Sequence, residues 1–122
     1  MESHRALYSS SDGRSSALLF VFLADDESLA AQQFTALRTA LKNPPPDALG
    51  GPATMVDAEP VEIGEDRHAY VTEEPDSRGN LVWTDVVREG RTVAVLQLLA
   101  PGDGDHRELR ASILGRVLAA GP

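Results

Sequence analysis

At 122 residues the chain has the size of one domain, and its 42% apolar and 25% charged residues are the balance of a folded globular protein rather than a disordered one. A net charge of −8 argues against a nucleic-acid or anionic-membrane surface, either of which needs a basic face to displace counterions. The absence of cysteine excludes disulfides and thiolate metal sites.

From Glu2 to Ser16 the chain is polar, and it reads as a short edge strand near Arg5–Ser9 followed by a hairpin turn at Asp12–Gly13. Ala17–Ala24 is apolar at every position, which predicts a central strand covered on both faces. As the longest apolar run it is far too short to span a bilayer, and no export signal is recognisable, so no membrane insertion is expected. Asp25 and Asp26 can cap a helix, and Ala30, Phe34, Leu37 and Leu41 recur on one face of it, predicting a helix over Asp26–Lys42. Asn43 and the prolines Pro44, Pro45 and Pro46 stop that helix, and Gly50, Gly51 and Pro52 continue a surface connection inside a single domain, 1–122.

Thr54–Ile63 reads as an extended segment broken at Pro60, hence near an edge. Gly64, Glu65 and Asp66 form a turn, His68–Glu73 alternates like a half-buried strand, and Pro75–Asn80 is a loop. The strands Leu81–Arg88 and Arg91–Ala100 form a hairpin. With Glu89 and Gly90 as its turn, Trp83 faces Leu96 and Leu81 faces Leu98, while Val82, Thr84, Val86, Val93, Val95 and Gln97 share the other face. A last helix over His106–Ala119 follows, capped by Asp105 with Glu108 three residues on, its stripe Leu109, Ile113 and Val117 widened by Leu114 and Leu118.

The fold expected is α+β: a mostly antiparallel sheet of five or six strands, with Ala17–Ala24 and Arg91–Ala100 central and two helices packed on it. The hairpin's second face, with Val82, Val86, Val93 and Val95, is too apolar to meet water. Either one helix crosses to cover it, giving a three-layer monomer, or two chains bury it together. The monomer is favoured over the homodimer, because the net charge opposes self-association.

Catalytic chemistry finds little support. His4, His68 and His106 lie in no zinc-helix spacing. His68 near Glu65 and Asp66 reads as a solvated strand end, and Asp103–His106 lacks the acids of a calcium loop, so no metal and no cofactor is expected. No nucleophile elbow or phosphate loop is present. The acids between Asp57 and Asp76, with Arg67 the one Arg or Lys among them, read as a solvated edge, the alternative being a patch for a cationic partner or a loosely held divalent ion.

Gly64, Glu65 and Asp66 before a strand, the run Val86–Val93 across the hairpin and a final helix ending Leu114–Leu118 form a recognisable order. Over residues 61–119 it resembles PsbP-like and sensor-like extracytoplasmic domains of actinobacterial-type lipoproteins. The resemblance implies an antiparallel sheet with packed helices, a place outside the cytoplasm and a binding or accessory role. It brings no catalytic residues; the sequence alone is equally compatible with the cytoplasm. The function expected is a non-enzymatic domain that binds a small molecule or a protein. The alternative is a small α+β enzyme with a cavity between helix and sheet, its rim carrying His68, Tyr70 or Asp85.

Overall fold

A computed structural model describes residues 2–9, 15–42, 55–75, 78–102, 104 and 106–120. The expected turn at Asp12–Gly13, the Pro44–Pro46 stop, the Gly50–Pro52 connection and the Asp105 cap lie outside the described residues. Six strands and two helices follow in the order β1 (Glu2–Ser9), β2 (Ser16–Leu23), α1 (Glu27–Lys42), β3 (Met55–Ala58), β4 (Asp66–Thr72), β5 (Asn80–Glu89), β6 (Thr92–Pro101) and α2 (Arg107–Ala120). The sheet order is β1-β2-β6-β5-β4-β3, with every neighbouring pair antiparallel. The fold is α+β, with β2, β6, β5 and β4 interior to the sheet and β1 and β3 at its edges.

The chain builds this sheet in two pieces. A β1–β2 hairpin comes first, α1 then crosses to the far edge, and β3 to β6 return strand by strand until β6 closes against β2. In α1, the Asp26 carboxylate accepts a hydrogen bond from the Leu29 amide at 2.8 Å, the N-cap its sequence position promised. Ala30 and Phe34 are buried and Leu37 and Leu41 pack beside them, so the anticipated stripe is the one that docks.

The two helices take opposite faces. Under α1 lie Val86, Val93 and Val95, with Phe20 and Phe22 at the margin. Under α2 lie Leu19, Trp83, Val87, Leu96 and Leu98, against which α2 sets Leu114. Val86, Val93 and Val95 are therefore not an interface between chains: α1 covers them, and the arrangement is three layers deep within one chain.

The hairpin register differs from the expected one. Gly90 and Arg91 form the turn, Glu89 faces Thr92, and Trp83 faces Leu98 rather than Leu96, which lies opposite Asp85. The shift is two residues, and a side-chain period of two returns every residue to its expected face. Arg88 explains the displacement. Its Nη1 donates to the Gly90 carbonyl at 2.9 Å and its Nε to Asp66 at 2.6 Å, so β5 runs one residue further before the turn and β6 begins one residue later.

Three further expectations change. Ala17–Ala24 is interior but not covered on both sides: Ala17, Leu19 and Val21 are buried beneath α2's layer, while Leu18, Phe20 and Phe22 are only half-buried on the other face. The segment after β3 does not stay at the edge, because Glu59–Ile63 leaves the ladder and buries Val61 in the α2 cluster. In α2, Leu109 is 41% exposed, and the docking face is rotated to Arg110 and Leu114.

Two of the positive-φ glycines differ in their surroundings. A β-carbon on Gly90, at +58°, would make only an ordinary contact with the Glu27 carboxylate at 3.8 Å, whereas one on Gly64, at +92°, would stand 2.9 Å from the Arg88 carbonyl. Gly90→Ala should cost about 1–2 kcal/mol, the penalty of left-handed backbone for a side chain, and Gly64→Ala clearly more, because backbone must also move. Trp83→Ala should cost about 3–5 kcal/mol. Urea denaturation of the three variants measures the order; equal losses for the two glycines would show that the Gly64 contact relaxes freely.

Candidate functional site

The three residues expected at a pocket rim do not share one. His68 and Tyr70 project from β4 on the face of Val86 and Thr84, the α1 side, whereas Asp85 faces α2 opposite Leu96. Alternation along a strand separates them, since Asp85 pairs with Ala69, the residue between the other two.

On the α1 side, Nε2 of His68 donates to the exposed Asp57 carboxylate at 3.2 Å, and its ring lies 4.6 Å from that of Tyr70. Tyr70 is buried, and its hydroxyl donates to the Arg38 carbonyl in the last turns of α1 at 2.8 Å. Burial pushes the phenol above its ordinary pKa, with the Arg38 interactions pulling against it. This pair anchors the C-terminal part of α1 to β4, through a hydrogen bond from the hydroxyl to a carbonyl one turn before the helix end. Its chemistry is that of a fastener.

Asp85 and Arg110 form the centre of the other face, both about 1% exposed. Nε of Arg110 donates to Oδ2 of Asp85 at 2.7 Å and Nη2 to Oδ1 at 2.6 Å, a two-pronged bridge between α2 and β5. Nη2 also reaches the Glu59 carbonyl at 3.3 Å, while Arg107 donates to the Pro60 carbonyl at 3.3 Å and pairs with the Glu59 carboxylate at 3.1 Å. Helix, sheet and the Glu59–Ile63 segment thus meet on one guanidinium. Burial pushes the Asp85 carboxyl above the ordinary carboxylate range, partly offset by the hydrogen bonds and charge of Arg110 and by the charge of Arg107. Both carboxylate oxygens are occupied, so the pair offers no base to a substrate.

Arg110 was not singled out from the sequence. The available signal was a matched anomaly: an acid between Trp83 and Val87 on an apolar strand face, and an arginine four residues before Leu114 on an apolar helix face. Two opposite charges each standing where an apolar residue belongs are best satisfied by one another.

Elsewhere the acidic segment is partly used up by structure. Glu65 accepts from the Gly90 amide at 3.0 Å and pairs with Arg88 at 3.5 Å, alongside Asp66. Those two acids therefore brace the hairpin turn instead of joining His68. Among the described residues no group of three His, Asp or Glu is placed to hold a metal ion. A shallow, open depression follows the solvent side of α1 along Ser28, Gln32, Thr35 and Thr39, whose two threonine hydroxyls bond back to their own helix. No described helix is long and apolar enough to cross a membrane.

One apolar row on the α1 side of the sheet is only half-buried. Leu18, Phe20 and Phe22 line β2 on the α1 side, next to half-buried Leu99 of β6; α1 lies mainly over β4, β5 and β6, and Phe20 and Phe22 pack at the margin of its cluster. This half-buried row, with two phenylalanines one strand in from the β1 edge, is a continuous apolar strip, whereas the more exposed Leu29, Val56 and Leu109 stand singly on three different elements.

Removing Arg110 tests the buried bridge. Arg110→Met strands Asp85 and should cost about 3–5 kcal/mol near neutral pH. The sign of its pH dependence follows from the carboxyl: with the offsetting cation gone, the folded pKa stands further above the unfolded value of about 3.9, so the native state holds the proton more tightly. Stability of the variant then falls as pH rises through that folded pKa, and the loss measured by denaturation at about pH 4.5 should be smaller than at about pH 7. A loss independent of pH would mean Asp85 is hydrated in the variant. Comparison with known protein families, with curated proteins and with solved structures gives no match to this chain.

Proposed function

We propose that this chain is a non-enzymatic binding or accessory domain, and that it works by contact with another protein rather than by chemistry on a substrate. The observation that carries the reading is the half-open row Leu18, Phe20 and Phe22, continued by Leu99, on a sheet whose two buried clusters are each covered by one of its own helices. Aromatic side chains on a rigid strand lose little freedom on association and supply large contact area, which is what anchoring residues at protein interfaces do. The residues that first suggested an active site support the same reading from the other direction. Tyr70 is bonded to a helix end and Asp85 to Arg110, so each is accounted for by folding. A binding role also agrees with the PsbP-like and sensor-like resemblance of residues 61–119 and with the extracytoplasmic setting it implies.

A photoactivatable phenylalanine analogue at Leu18 tests the surface. It should yield protein adducts on irradiation, and the same probe at Thr39, on the outer side of α1, should yield at least tenfold fewer. Equal labelling from both positions would remove the strip as the binding surface. Reproducible turnover in a broad hydrolase and oxidoreductase screen would overturn the non-enzymatic reading itself.

A further inference from the structure

We infer that the outer edge of β1 is a self-association edge, through which two copies of this chain join their sheets antiparallel about a two-fold axis. The inference deepens the binding role proposed above, since the joined sheet carries two copies of the Leu18, Phe20 and Phe22 row on one face.

The two sheet edges are built differently. β3 has four residues, is followed at once by Glu59 and Pro60, and carries Asp57; shortness, acids and proline are the usual protections of an edge. β1 has eight residues, contains neither lysine nor proline, and keeps an unbroken register with β2 from Glu2–Leu23 to Ser9–Ser16, without a bulge. Its outer side presents a full row of backbone donors and acceptors, and nothing among the described residues pairs with it. A second antiparallel β1 satisfies that row with no further component, because a two-fold axis makes each strand the complement of the other.

Net charge favours this edge over its opposite. The acids Asp57, Glu59, Glu62, Glu73 and Glu74 stand on or beside β3 and β4, while β1 balances Glu2 with Arg5. Five strand spacings of about 4.8 Å separate the edges, about 24 Å, which is more than two screening lengths at physiological ionic strength. Most of the charge of −8 that opposes a dimer therefore stands where the two copies do not meet, with Asp25, Asp26 and Glu27 beyond the end of β2 as the exception. A two-fold axis normal to the sheet also keeps like faces together, so both half-open rows lie on the α1 side of a continuous twelve-stranded sheet, between the two α1 helices.

An exact two-fold places one residue opposite its own copy, and greatest overlap of the eight-residue strands puts Arg5 or Ala6 there. The chain has no cysteine, so single replacements report without background. Sedimentation equilibrium of the unmodified 13.1 kDa chain should show its mass rising towards double with concentration. Either Arg5→Cys or Ala6→Cys should oxidise to a covalent dimer at least tenfold faster than Val56→Cys on the β3 edge, opposed cross-strand β-carbons being about 5 Å apart. A monomeric mass throughout the concentration range would overturn the inference. So would a dimer in which neither β1 cysteine cross-links, or one in which Val56→Cys does so as readily. A monomer whose residue-18 photoprobe still captures a protein would refute the edge pairing and leave the binding role intact.

Discussion

Strand β6 holds the two pieces of the chain together. It pairs with β2 along eight positions and with β5 along ten, so the N-terminal hairpin and the β3–β5 meander share no sheet without it. Its buried residues serve both layers: Ala94, Leu96, Leu98 and Ala100 face α2, and Val93 and Val95 face α1. A strand buried on both sides cannot alternate apolar with polar, which is why Thr92–Pro101 reads as a nearly continuous apolar run. The two helices follow from that necessity, one for each face.

Within the α2 layer, ion pairing does what shape alone does poorly. α2 has a weak apolar stripe and one fully buried leucine, Leu114, so hydrophobic contact fixes its rotation loosely. The fork between Arg110 and Asp85 is directional and permits few rotations of the helix about its axis. The same guanidinium holds the Glu59 carbonyl, tying the departure of the chain from β3 to the helix that closes it. A bridge of this kind need not add much net stability; it selects one packing among several of similar apolar area.

Much of the architecture was legible because it rests on period. The α1 stripe and the hairpin faces both come from recurrences of two or three to four residues, and they survive a two-residue error in register. The turn itself was misplaced because Glu89, Gly90 and Arg91 all suit a turn locally, and the choice among them is made by Arg88 bonding across to Asp66, a residue 22 positions away. The site was less legible. His68, Tyr70 and Asp85 were grouped by residue type, whereas their partners Asp57, Arg38 and Arg110 come from other elements, and long-range pairing leaves no periodic trace. Leu109 looked like core for a related reason: the helix is turned by the Arg110 bridge, and hydrophobic pattern alone had it facing inward.

His106 stands just before α2 with φ at +54°, a backbone state that a side chain other than glycine adopts at a cost. It is kept there by its own ring, whose Nε2 donates to the Pro101 carbonyl at 2.7 Å and which meets the indole of Trp83 edge-on at 5.0 Å. Trp83 is the one tryptophan of the chain. Its emission therefore reports on the seat of α2 without any label: while the helix is docked the indole is dry and pressed by an imidazole, and lifting the helix removes the imidazole and admits water in one step. The molecule carries its own optical gauge of the joint between its last helix and its sheet.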